Sequence, residues 1–236
     1  MAAPQVKQEE LQNIADTIAE AEKKLQAITK KLVQAAAVLT KERQGSAKAL
    51  GEQITKHIRD LAMPNGNFVI ELTALDKFTA EGRDGLSFKF SANMGEPLND
   101  LEKVASGGEI SRIALAIKTV LMNQGDVPTM VFDEIDTGVG GVTAQRMAEK
   151  IAAISNVGQV LCITHLPQIA AFADNHIHIE KVSADGRTAT VLTTLVQQAR
   201  IEEIVRMTAG DNRSFAAYEN AKQLLSSAEA VKESLK

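Results

Sequence analysis

Residues 129–141 read Thr-Met-Val-Phe-Asp-Glu-Ile-Asp-Thr-Gly-Val-Gly-Gly. Thr129 to Phe132 is short, apolar and β-prone, bounded by Pro128 and Gly138, and predicts a buried strand. The strand ends in two carboxylates, Asp133 and Glu134, and a third acid, Asp136, follows in a glycine-rich turn. In open α/β sheets, ligands lie outside the carboxyl ends of the strands. Carboxylates buried there without a partner or a metal are costly, so acids at such a position are placed for chemistry. The plainer alternative, still open on this stretch alone, is a solvated acidic turn after a core strand.

Composition narrows the classes. The chain has 236 residues, 44% of them hydrophobic but only 3% aromatic, with no Trp, so its core is aliphatic. The net charge of −4 does not by itself announce a nucleic-acid partner. A lone Cys162 excludes a disulfide framework and a cysteine-based zinc site, and suits the cytosol. The sequence offers no run of apolar residues long enough to span a bilayer, and Met1 to Gln8 has no apolar core of the signal-peptide kind.

Upstream of the acidic stretch, Leu11, Ile14, Ile18, Ala21, Leu25, Ile28, Leu32, Ala35 and Leu39 alternate spacings of three and four. That is a heptad seam and predicts a left-handed coiled coil, in preference to an amphipathic helix lying on a globular domain. The seam needs a partner helix, either a second copy or a segment outside this chain. The pattern loosens at Gly45 and Gly51 and resumes through Leu50, Ile54, Ile58 and Leu61, until Pro64-Asn65-Gly66 ends it. Residues 22–59 carry nine Lys/Arg against three Glu, a basic face that is either solvated or open to a phosphate backbone. Phe68 to Thr73 and Leu86 to Ser91 predict a hairpin. Asn93 to Leu101 is expected to be loop.

Two further elements point at phosphate. Ser106-Gly107-Gly108-Glu109 opens a strong helix in which Ile110, Ile113, Ala114, Ile117, Val120 and Leu121 share a face. Ser106 and Glu109 fit a capping box, yet a capping box has no need of two glycines inside it. Adjacent glycines at a helix start expose backbone N–H groups and let an anion come close. Downstream, Gln159 to Thr164 predicts a second buried strand, again ending in chemistry at His165. Helices are expected at 142–154, 166–173, 201–208 and 214–235, and a hairpin at 175–196 around Ala184-Asp185-Gly186. His176 and His178 share a face of that hairpin without a third metal ligand in view, and are expected to be surface residues. An apolar strand ending in Asp-Glu is also the Walker B pattern of nucleotide hydrolases, in which the Asp holds Mg²⁺ and the Glu activates the attacking water.

Residues 103–112 (K-V-A-S-G-G-E-I-S-R), 132–141 (F-D-E-I-D-T-G-V-G-G) and 162–170 (C-I-T-H-L-P-Q-I-A) together resemble the ATP-binding-cassette superfamily. Within it they resemble the RecN branch of DNA repair proteins, relatives of the structural-maintenance-of-chromosomes ATPases. The three motifs in this order and spacing are specific, and the resemblance runs from the coil to the C-terminal helices. It implies an α/β fold: the C-terminal lobe of an ATPase head at residues 63–236, a mostly parallel sheet flanked by helices with β-hairpins. A long coiled-coil arm at residues 1–62 would precede it. It implies ATP and Mg²⁺ as cofactors. Ser106, Gly107, Gly108 and Glu109 would match the signature motif, with Arg112 nearby. Asp133 would match the Mg²⁺ ligand, Glu134 the general base, Asp136 the D-loop acid reaching across a head dimer, and His165 the switch histidine. Partners implied are a second head, DNA near double-strand breaks, and no membrane, in a bacterial cytoplasm at the nucleoid.

No Gly-x-x-x-x-Gly-Lys-Ser/Thr loop occurs in the sequence. In the resembled family that loop lies in an N-terminal lobe, joined through an arm that goes out and returns. The chain is therefore expected to be a C-terminal half with its seam as the returning arm, weakly ATP-binding and almost inactive alone. Alternatives are a catalytically silent coiled-coil tethering module, a transporter's nucleotide-binding domain (disfavoured by the coil and by Glu109, where transporters usually carry Gln), and an aspartic protease. The last is suggested only by Asp136-Thr137-Gly138 and disfavoured because the triplet precedes a helix.

Overall fold

The computed structural model describes residues 3–103, 107–122, 129–184 and 187–235. Two sequence expectations, the Ser106 cap and the Asp185-Gly186 turn, lie outside the described residues, as do Val127 and Pro128 ahead of the acidic strand.

Helix α1 runs Ala3–Arg59 without a break. The sequence suggested a loosening at Gly45 and Gly51. Each glycine costs only about 1 kcal/mol in a helix interior, and Ile54 and Ile58, fully buried at the helix end, outweigh that. The helix ends at Arg59, and after a turn Ala62 takes a positive φ of 63° ahead of Pro64. Gly66 closes the reversal: a Cβ there would stand 2.7 Å from the Ile58 side chain. Thr55 then ties the helix end to the next strand, its hydroxyl accepting from Phe68 N–H at 3.0 Å and donating to Phe68 O at 3.2 Å.

The chain packs as two compact units, residues 1–49 with 70–87, and residues 50–69 with 88–236. In the first unit, α1 carries Leu11, Ile14, Ile18, Leu25, Ile28 and Leu32 exposed, so the heptad seam faces outward. Strands β1 (Asn67–Thr79) and β2 (Gly82–Ser91) form the expected hairpin, longer than its apolar cores. Its turn is anchored within the unit by Asp84, which accepts from the Thr40 hydroxyl at 2.6 Å and from Arg43 at 3.0 Å. These bonds, Thr40 first, hold the Asp84 carboxyl below the usual carboxylate range.

In the second unit a short β3 (Asn99–Asp100), inside the stretch expected to be loop, adds antiparallel to β2, and a 3-10 turn at Leu101–Lys103 follows it. Then come α2 (Gly107–Leu121), β4 (Thr129–Phe132), α3 (Gly141–Ser155), β5 (Gln159–Cys162) and α4 (Pro167–Ala171). An antiparallel hairpin follows, β6 (His176–Ala184) with β7 (Arg187–Leu195), and α5 (Gln197–Ala209) and α6 (Phe215–Ser234) close the chain. Ser214 caps α6, its side chain accepting from Ala217 N–H. The parallel part of the expected sheet is the pair β4–β5, joined through α3, in register from Thr129↔Gln159 to Phe132↔Cys162. Helix α3 packs on β5, and α2, α4, α5 and α6 pack on α3 and on one another, over a core that includes Ile113, Leu115, Met147, Ile154, Ile204 and Val205.

Candidate functional site

Parallel register makes β4 and β5 end side by side. Ile163 N–H donates to Phe132 O at 2.9 Å, the last ladder bond before both chains leave the sheet. Asp133 and Glu134 therefore emerge beside Thr164 and His165, and all four lie at the carboxyl ends of neighbouring strands. Asp133 and Glu134 are exposed. Asp133 Oδ1 accepts the Glu134 N–H at 2.9 Å. Glu134 has a positive φ of 54°, a conformation costly for a residue with a Cβ. Such strain persists only where the surroundings enforce it, and it clusters at functional sites.

Helix α2 supplies the enforcement. A Cβ on Gly107 would stand 3.1 Å from Glu134 Oε2, and one on Gly108 would stand 2.9 Å from Glu134 O and 3.4 Å from Thr137 Cβ. The two glycines thus admit the acidic turn against the helix start. A carboxylate there also meets the positive end of the helix dipole. Ser111 donates its hydroxyl to Asp133 O at 2.9 Å. Arg112 is buried and its Nη1 donates to Ile135 O at 3.4 Å and Thr137 O at 3.0 Å. Burial lowers the Arg112 pKa and the Glu109 charge raises it. The buried face of α2 accordingly follows Gly108, Arg112, Ile113, Leu115 and Ala116. Ile110 and Ala114, assigned to the core face from the sequence, are exposed.

Asp136 is turned inward. Its Oδ2 accepts from the Thr164 hydroxyl at 2.5 Å and from His165 N–H at 2.9 Å, and His165 Nδ1 lies 3.1 Å away. The Asp136 side chain is 3% exposed and the His165 side chain 69%. The Asp136 carboxylate is engaged within the chain. Cys162, next to this cluster, has its thiol pushed up to about 12, first by burial and then by Asp136 and Asp133, which leaves it inert as a nucleophile. His178 pairs with Glu203 at 3.2 Å, and neither His176 nor His178 is exposed as expected.

Of the predicted site residues, the fold brings together Gly107, Gly108, Asp133, Glu134, Asp136 and His165. Glu109 lies in the first turn of α2, and Ser106 lies outside the described residues. The sequence places Thr164 with His165 at a strand end carrying chemistry, without a role of its own, and does not single out Ser111. Thr164 had a signal, a hydroxyl directly before a strand-end histidine; Ser111 had none. Among the described residues no group of three or more His, Cys, Asp or Glu side chains is placed to cage a metal. Asp133 as a single exposed carboxylate suits Mg²⁺, which binds through one or two carboxylates plus waters and phosphate oxygens.

No family model matches the chain. A DNA repair protein RecN from Halalkalibacterium halodurans is 44% identical over 221 residues, 92% of this chain and 39% of that protein. RecN from Bacillus subtilis is 39% identical over 239 residues, 95% of this chain and 42% of that protein. The chain is RecN-like. It spans about two fifths of the length of these RecN proteins. The solved Smc head domain with a coiled coil and joint from Pyrococcus yayanosii is 22% identical, with a TM-score of 0.50, over 77% of this chain and 34% of that one. That likeness shows the fold alone, mixed α/β with a long N-terminal helix. No helix among the described residues of this RecN-like chain is long and apolar enough to cross a membrane.

Proposed function

We propose that this chain supplies the C-terminal part of a RecN-type ATP-binding head. The carrying observation is Asp133-Glu134 and His165 at the ends of neighbouring parallel strands, with the diglycine of α2 against Glu134. In this reading residues 1–62 are the returning arm and residues 63–236 the lobe, a division by role that differs from the compact packing units. Asp133 would hold Mg²⁺, Glu134 would take a proton from the attacking water, and His165 would face the γ-phosphate. The bound Mg·ATP supplies the phosphoanhydride to be cleaved and the charge these residues orient around. Ser106, Gly107, Gly108 and Glu109 would serve the triphosphate of a second head, so two heads close on two nucleotides. Preorganised electrostatic stabilisation is usually the largest single catalytic contribution, and here it would be complete only in the closed dimer.

The Walker A loop would come from a separate N-terminal lobe. Parallel sheets are covered on both faces, yet Val131 is 64% exposed, Leu161 48% and Ile163 55%. That supports a site finished by another lobe. Coupled to DNA near double-strand breaks through the coil, head closure would hold or tether DNA in the bacterial cytoplasm, at the nucleoid.

The test mixes the chain with a separately produced Walker A lobe and measures ATP turnover with and without DNA. DNA-stimulated turnover is expected from the mixture and almost none from the chain alone. Glu134→Gln should remove roughly a hundredfold or more of that turnover while nucleotide binding survives. Measurable turnover by the chain alone, abolished by Glu134→Gln, would overturn the need for the second lobe. The exposed seam of α1 favours one other reading, a catalytically silent tethering module. It predicts lobe binding independent of ATP and indifferent to Ser106→Arg.

A further inference from the structure

We propose that Asp136 is a positioning residue for His165: it holds the imidazole proton on Nδ1 and leaves Nε2 as the outward, chemically available nitrogen. The proposal deepens, and for its functional meaning rests on, the reading of His165 as a phosphate-facing group. Its geometry stands apart from that reading.

Three groups from two consecutive residues converge on one oxygen, Asp136 Oδ2: the Thr164 hydroxyl, the His165 backbone N–H and His165 Nδ1. A nearly buried carboxylate requires such partners, because an uncompensated one is strongly disfavoured. Thr164 Oγ1 in turn accepts from Leu166 N–H at 3.0 Å, so the whole strand exit is fixed around this carboxylate. The ring then has one arrangement that suits it. A lone pair on Nδ1 facing a carboxylate oxygen at 3.1 Å is repelled, whereas an N–H there is attracted. The partner of one ring nitrogen decides what the other can do. With the proton on Nδ1, a neutral His165 presents a lone pair at Nε2 to solvent and can accept from water. To contact a phosphate oxygen as a donor through Nε2 it must first become imidazolium. An acid orienting a histidine in this way is the logic of a catalytic triad without its nucleophile.

Without such a partner, a neutral histidine carries its proton mainly on Nε2, so the tautomer is diagnostic. The experiment is a two-bond proton–nitrogen correlation spectrum of this chain, labelled in its histidine rings, without nucleotide and at a pH where the rings are neutral. The His165 signals are assigned by their loss in His165→Gln. The expected spectrum has His165 protonated predominantly on Nδ1. In Asp136→Asn the charge is lost and the amide can donate to the ring, so the population moves to predominantly Nε2–H; Thr164→Val, which keeps the carboxylate, retains Nδ1–H. Ordinary Nε2–H in the unmodified chain overturns the proposal without recourse to any variant. So does Nδ1–H that survives in a folded Asp136→Asn. Because no nucleotide or second lobe is present, failed ATP turnover in the mixture leaves this result untouched, and a failed tautomer assignment leaves the turnover experiment untouched.

Discussion

Gly108 and Glu134 touch through their backbones: a Cβ on Gly108 would sit 2.9 Å from the Glu134 carbonyl oxygen. That oxygen also accepts Thr137 N–H at 3.2 Å, so it is fixed by the turn and cannot give way. The diglycine that looked like an anion cradle in the sequence is thus also a packing requirement. Gly108→Ala should destabilise the fold by about 1–3 kcal/mol, the usual cost of overpacking a tight site, read as a lower urea midpoint. Gly107 faces only the mobile end of the Glu134 side chain, at 3.1 Å, so Gly107→Ala should cost much less.

Arg112 holds the acidic turn from beneath by donating to the carbonyls of residues 135 and 137. Removing the guanidinium takes this donor from the buried Ile135 carbonyl and the part-buried Thr137 carbonyl, at about 1–3 kcal/mol. Arg112→Met, which keeps the length and apolar stem, should lose that stability in denaturant titration. Unchanged stability would mean the two bonds contribute nothing net.

Gly45 sits within α1 with nothing within 4 Å of a Cβ built on it. Gly45→Ala should therefore stabilise the helix by about 0.5–1 kcal/mol, through the smaller entropy loss on folding. Circular dichroism at 222 nm during thermal melting would show a higher midpoint.

Lys89, then Lys103, bond Asp100 at 2.6 and 2.9 Å and hold its carboxyl down at about 2. The folded value lies below the unfolded value of ~4, so the folded state is favoured by this group above pH ~4. That contribution is lost as pH falls toward about 2. In Asp100→Asn the stability-versus-pH curve should be flatter across this window, as measured by urea unfolding at successive pH values.

Sequence periodicity and terminal chemistry made much of this molecule legible. The heptad seam needed only spacing, because a long exposed helix is governed by local turns and side-chain intervals. Both parallel strands were visible as short apolar runs, and the acids and the histidine were visible because they interrupt those runs. What spacing could not supply was orientation. Ile110 and Ala114 looked like the buried face of α2, but Gly108 and Arg112 must meet the turn at residues 134–137, and that rotates the helix. Asp136, three residues from Asp133, looked like another outward acid. Only the side-by-side ends of β4 and β5 bring Thr164 and His165 to its carboxylate and draw it inside, since partners separated by about thirty positions in sequence become neighbours solely through sheet pairing.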